Sequence, residues 1–113
     1  MKRRLAGQLL RLPVTTHDIT IGRPVDVIVD PVHNRAVGFD VLCRDEEHRF
    51  LPWTAAVIGE KSIAVASPIV MLAEEQLAFY RDRAMSLRAL VPVLENVLIE
   101  PDGTLEVVSD DAA

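Results

Sequence analysis

The sequence predicts a mostly β fold: a small antiparallel barrel with one short helix and an incomplete second β-unit. Three observations predict it. Residues 22–53, GRPVDVIVDPVHNRAVGFDVLCRDEEHRFLPW, read as consecutive strands joined by tight turns; the apolar spacing becomes helical after Ser67; and a second, shorter hairpin pattern follows near the C-terminus. At 113 residues the chain is one domain by size, able to bury a modest core. Half of it is hydrophobic but only 4% is aromatic, so that core is built from valine, leucine and isoleucine.

The first unit spans residues 1–66. Gln8 to Val14 alternates Leu10, Leu12 and Val14 with Leu9, Arg11 and Pro13, a predicted first strand whose proline places it at an edge or an end. Thr15 to Asp18 is a turn, and Ile19 to Gly22 leads into the central hairpin. There Val25, Val27 and Val29 alternate with Asp26, Ile28 and Asp30, the period-two pattern of a strand with one buried face. Proline has no N–H to donate, so Asp30-Pro31 ends the ladder; His33-Asn34 supplies turn chemistry and Ala36 to Leu42 runs back. Gly38, inside that return strand, marks a bulge or a close backbone approach. Arg44 to His48 is a polar tip, Phe50 to Trp53 opens the next strand, Trp53 to Gly59 is a loop or short strand, and Ser62 to Ala66 closes the unit. Val25, Val27, Val29, Gly38, Phe39, Leu51 and Trp53 are the expected structural core.

Residues 67–86 read as a helix and a connection. Ile69, Ala73, Leu77, Tyr80 and Ala84 share one helical face, Ser67 is placed to cap it and Pro68 falls in the first turn. Glu74 and Glu75 come early and Arg81 and Arg83 late, the order that suits the helix dipole. Beyond it, Asn96-Val-Leu-Ile-Glu100-Pro101 repeats the chemistry of Asp26-Val-Ile-Val-Asp30-Pro31 at an offset of 70, with Asp102-Gly103 in place of the His33-Asn34 turn. This makes residues 87–108 an incomplete second copy of the unit. Leu94, Val97, Ile99, Leu105 and Val107 give it more apolar surface than a flexible tail carries, and short strands with such a face need a cover. That cover comes from the barrel in the same chain or from a second copy in a homodimer, with these five residues as the candidate interface. Residues 109–113 are expected to be a disordered tail.

The frame of Gly22-Arg-Pro-Val25, Asp26-Val-Ile-Val-Asp30-Pro31, Ala36-Val-Gly38-Phe39, Leu51-Pro52-Trp53 and Ile58-Gly59 resembles the PRC-barrel family over about residues 8 to 66. That family is named for the cytoplasmic domain of the photosynthetic reaction-centre H subunit and includes the C-terminal domain of a bacterial ribosome-maturation factor. The resemblance implies a small β-barrel acting as an assembly or adaptor domain. Its matching positions are structural, so it assigns no reactive residue.

Charge and composition narrow the function classes. The chain carries a net charge of −5, with residues 1–50 at +1 and residues 51–113 at −6, and its basic cluster, Lys2-Arg3-Arg4, sits at the terminus. A nucleic-acid binder is expected to show a broad basic footprint instead. Cys43 is the single cysteine and reads as a small core hydrophobe; with no apolar leader after the basic start, a cytoplasmic protein is expected. The longest apolar run, Ile63 to Ala73, is broken by Ser67-Pro68 and falls short of the roughly 20 residues a membrane helix needs.

His17, His33 and His48 fall in predicted turns, without the paired spacing of a zinc site even with Cys43 added. Neither Ser62 nor Ser86 lies in the glycine-flanked turn of a nucleophile. Asp26, Asp30, Asp40, Asp45, Glu46 and Glu47 form an acidic set that can hold a cation or do acid–base work, but such residues are ordinarily the solvated face of a hairpin. No catalytic, cofactor or metal residue is assigned. The expected function is a non-enzymatic protein-interaction or assembly module. The alternatives are a ribosome-assembly or RNA-processing factor binding a basic ribosomal protein and, more remotely, a small cation-dependent enzyme using the acidic hairpin.

Overall fold

The computed structural model describes residues 4–67, 71, 85–87 and 97–107. The described residues are mostly β, with a short helix near the N-terminal end. Strand β1 (Arg4–Leu5) runs into α1 (Ala6–Leu9), in place of the strand expected over residues 8–14. One turn of helix is too short to show a period. The Gln8 side-chain oxygen fixes it by accepting a hydrogen bond from the Leu5 N–H at 3.2 Å. Strand β2 (Val14–Thr16) then meets β3 (Ile19–Asp30) through a two-residue turn, His17-Asp18, with φ of 49° and 65°. Two successive positive φ values match the right-handed twist of a tight hairpin.

Strand β3 is the spine. Along one side it pairs with β4 (Arg35–Cys43), which in turn pairs with β5 (His48–Pro52). Its other side is divided: β2 takes the N-terminal part, and β8 (Met85–Ser86) pairs with Ile28 and Val29. After β5, a 3₁₀ turn (Trp53–Ala55) leads to β6 (Val57–Ile58) and β7 (Ile63–Ala64), and β7 lies parallel to β2. The order β5-β4-β3-β2-β7-β6 makes an open sheet, with no pairing between its end strands among the described residues. The helix expected over residues 67–86 falls largely outside the described residues, as does the tail at 109–113.

The β3–β4 ladder carries two bulges that cancel. Val25 is the extra residue on β3 and Val37 the extra one on β4, so Pro24 opposes Val41 and Val29 opposes Ala36 with equal lengths of chain between. The single buried face expected for β3 is corrected here. The bulge leaves Val25 only half-buried; from Asp26 on the alternation holds, with Val27 and Val29 on the main core, but Asp26 and Ile28 on the opposite face, expected outside, are buried as well. Both faces of this stretch are therefore covered. Val27, Val29, Phe39, Leu51 and Trp53 belong to the main core with α1, β2 and β7, while Ile28 and Phe50 are buried outside that cluster. Gly38 is buried because the Phe50 ring lies where its Cβ would be: a methyl group there would come within 2.5 Å of that ring and 2.3 Å of the Leu51 carbonyl oxygen.

The second unit is a hairpin, β9 (Val97–Ile99) with β10 (Leu105–Val107), and β1 pairs with the other side of β9. This three-stranded sheet packs on the first unit of the same chain. Ala36 N–H donates to Gly103 O at 2.7 Å, Leu105 N–H to Asn34 O at 3.0 Å, and the Asn34 side-chain amide to Leu105 O at 2.7 Å. Trp53, stacked on Phe39 at 5.3 Å, donates its indole N–H to Pro101 O at 3.0 Å. Val97, Ile99 and Leu105 are accordingly part of the same core cluster as Val27, Phe39 and Trp53.

Candidate functional site

Register brings the reactive side chains together on one face of β3, β4, β5 and β8. Asp26 opposes Asp40, which opposes Phe50, and Ile28 opposes Ser86. Asp26 and Asp40 are buried, a correction to the solvated face expected for the acidic set. Their partners explain how two carboxylates tolerate burial, because a buried charge needs hydrogen bonds to replace lost water. Asp26 accepts the Val27 N–H at 2.8 Å and the Ser86 hydroxyl, while Asp40 meets His48 Nδ1 at 2.8 Å. His48, expected in a turn, begins β5 and is held by this carboxylate with 41% of its side chain exposed.

An aspartate-oriented histidine and an aspartate-bound serine thus occupy one sheet face. The hydroxyl of Ser86 is directed to a carboxylate rather than to an imidazole, the reverse of the order that activates a serine nucleophile. Among the described residues, no group of three or more His, Cys, Asp and Glu side chains is arranged to hold a metal ion.

The rest of the acidic set is spread along the hairpin. Asp30 at one end accepts the Val32 and His33 N–H groups and pairs with His33 Nδ1 at 2.6 Å, a contact that lowers its pKa; the backbone bonds add to this. At the other end Arg49 grips Asp45 with two bonds of 2.9 and 2.7 Å. That fork, followed by the Glu47 N–H, lowers the Asp45 pKa to about 2, and Asp45 leads the causes that raise the pKa of Arg49. His17 and His33 lie in exposed turns.

Two grooves meet at the arginine-bearing end of β3 and β4, sharing Cys43 and Arg44. One is bounded by Ile21, Asp45, Arg49 and Met71. The other, about 460 Å³, has Pro13, Gly22 and Leu42 along it and Thr20, Arg23 and Arg44 as its polar edge. Pairing of Gly22 with Cys43 is what brings their neighbours Arg23 and Arg44 to one end. A third groove runs between the first unit and the second hairpin, past Trp53, Val57, Ile58 and Pro101; Val57 beside it is 70% exposed.

Of the two covers expected for the second unit, the same chain supplies one. Val97, Ile99 and Leu105 are 1%, 0% and 9% exposed because α1, β1 and the 34–36 turn cover them within one chain, so they offer no face to a second copy. Val107 pairs with Val97 at the end of β10, and Leu94 lies outside the described residues. Sequence reasoning misses the Asp26–Asp40 pair, although both positions sit nearly symmetrically about the 31–34 turn. The arginine-edged groove gives no signal in sequence until strand register is known.

Among the described residues, no helix is long and apolar enough to cross a membrane. Comparison with known proteins finds no matching family model and no significantly similar curated protein.

Proposed function

We propose that this chain is a non-catalytic protein-interaction module of the PRC-barrel kind, docking a partner at the paired grooves at the end of β3 and β4. The observation that carries this reading is the second groove, where an apolar floor of Pro13 and Leu42 lies open beside Arg23 and Arg44. Apolar surface left in a concave, polar-edged site favours a partner that removes it from water. The buried polar groups support the same reading, since Asp26, Ser86, Asp40 and His48 spend hydrogen bonds on one another.

Capture from native lysate with mass spectrometry tests it, comparing the intact chain with Leu42→Glu. Leu42 is half-buried, so the variant is checked for an unchanged urea midpoint. The expected result is a defined partner lost with Leu42→Glu. A set of captured proteins identical for both chains overturns the docking site. A second reading, an assembly factor on a basic ribosomal protein, draws on the net charge of −5; the captured partner's identity separates the two.

A further inference from the structure

We infer that the groove edged by Arg23 and Arg44 takes an acidic peptide segment of the partner, its carboxylates meeting the two guanidiniums and a neighbouring apolar side chain lying on Pro13 and Leu42. The inference rests on the interaction-module reading and adds the chemistry of the ligand.

Charge complementarity carries it. Of the other arginines on this hairpin, Arg49 is occupied by Asp45 at 2.7 Å and Arg35 reaches Asp102 at 3.5 Å. Arg23 and Arg44 are both exposed, and neither pairs with a carboxylate among the described residues. Arg44 Nη1 donates to Thr20 O at 3.5 Å, the outer limit of a hydrogen bond, and so keeps most of its donors for a ligand. A guanidinium presents a flat fork that matches a carboxylate with two parallel bonds, as Arg49 already does for Asp45 within the chain.

The floor sets the second requirement. Gly22 is buried between strands that have closed on it, since a Cβ there would stand 2.8 Å from Leu42 O and 2.9 Å from Val41 Cγ1. Beside the arginines, the half-buried Pro13 and Leu42 present an apolar surface suited to an extended peptide that alternates charged and apolar side chains. Nucleic acid fits the groove poorly. Among the described residues lining it there is no aromatic ring on which a base could stack, and the chain's net charge of −5 repels a long polyanion. Local arginines on an acidic molecule instead favour a short acidic segment held at close range on the two guanidiniums: Asp45 beside Arg44 is taken up by Arg49, Glu46 and Glu47 are exposed to solvent, and the more distant charges are screened by salt.

The test uses the full chain and a short fluorescein-labelled peptide of alternating glutamate and leucine, with matched peptides carrying glutamine or lysine at the glutamate positions. Fluorescence anisotropy is expected to show saturable binding of the glutamate peptide alone. Arg23→Gln and Arg44→Gln should each weaken it by about tenfold, and added salt should weaken it further. Arg35→Gln, on a residue remote from the groove, should leave binding unchanged. Absence of binding by the glutamate peptide overturns the inference, as does equal binding of the lysine peptide or an unchanged affinity in the double arginine variant at an unchanged urea midpoint. Lysate capture that depends on Leu42 but ignores both arginines overturns the acidic ligand and leaves the interaction module standing.

Discussion

The turn at residues 44–46 and the turn at residues 101–103 are built on one hydrogen-bond plan. In the first, Glu46 N–H donates to Cys43 O and Cys43 N–H to Glu47 O, each at 2.9 Å; in the second, Gly103 N–H donates to Glu100 O at 2.8 Å and Glu100 N–H to Thr104 O at 2.9 Å. An aspartate in the middle accepts the N–H two residues on in both, Asp45 from Glu47 at 3.1 Å and Asp102 from Thr104 at 2.9 Å. The third loop residue has positive φ, 67° at Glu46 and 94° at Gly103. The sequence repeat pairs the second turn with residues 31–34. Its hydrogen bonds match residues 44–46 instead, so the likeness to the first hairpin stops at the strands.

What differs is the surroundings. The turn at 44–46 faces solvent, and a glutamate there costs only backbone strain. The turn at 101–103 is a docking point, where Gly103 O accepts from Ala36 N–H and a Cβ on Gly103 would stand 2.8 Å from Ala36 O. Glycine is required there both by φ and by the approach of a second backbone.

The largest expected effect tests whether the second hairpin is structural in this way. Ile99 is fully buried in the core shared with α1 and β3. Ile99→Asp should cost roughly 3–5 kcal/mol by leaving a charge buried without a partner. In urea, amide exchange at Val27 and at Ile99 should then accelerate together. Unchanged protection at Val27 would mean that β9 and β10 are an appendage to the first unit.

The turns themselves supply the middle-sized effect. Gly103→Ala should destabilise by roughly 2 kcal/mol, from a left-handed backbone plus the contact with Ala36 O. Glu46→Gly should move the other way. Relief of about 1–2 kcal/mol of left-handed strain exceeds the roughly 0.4–1 kcal/mol of added unfolded-state freedom, for a net gain of about 0.5–1 kcal/mol. Urea midpoints decide it, and equal signs for the two substitutions would break the comparison.

The same contrast shows what is legible in the sequence. The β3–β4 hairpin is readable because Asp30-Pro31 and His33-Asn34 act within a few residues of themselves, and the second hairpin because Pro101-Asp102-Gly103 does the same. The burial of Asp26 is not, since it lies on the face opposite Val27 and Val29, which closes only through β4, β5 and β8, and the bulge that displaces Val25 has no local signal. Burial of Ile28 depends in part on Ser86, about sixty positions away, and the helix at Ala6–Leu9 is too short for any periodicity. The arginine-edged groove depends on the Gly22–Cys43 register, which composition does not encode. Local chemistry is visible; the juxtapositions created by register are not.

The smallest effect separates the two aspartates by cause. Asp45 is held at about 2 first by its bonds from Arg49, whereas Asp102 is lowered first by the Thr104 N–H and hydroxyl, with Arg35 contributing least. Both folded values lie below the unfolded one, so each contributes stability above the ordinary aspartate pKa near 3.9 that is lost as pH falls through its folded value, about 2 for Asp45. Both carboxylates are solvent-exposed, which makes site-resolved titration the informative measurement rather than a melt. Carboxyl-carbon NMR should show Arg49→Gln returning Asp45 most of the way to an ordinary carboxylate. Arg35→Gln should barely move Asp102, and Thr104→Val, which removes the hydroxyl but keeps the N–H, should raise it further. If Arg35→Gln shifts Asp102 as far as Arg49→Gln shifts Asp45, then the two turns stabilise their charges in the same way, and the distinction between a side-chain-held and a backbone-held carboxylate fails.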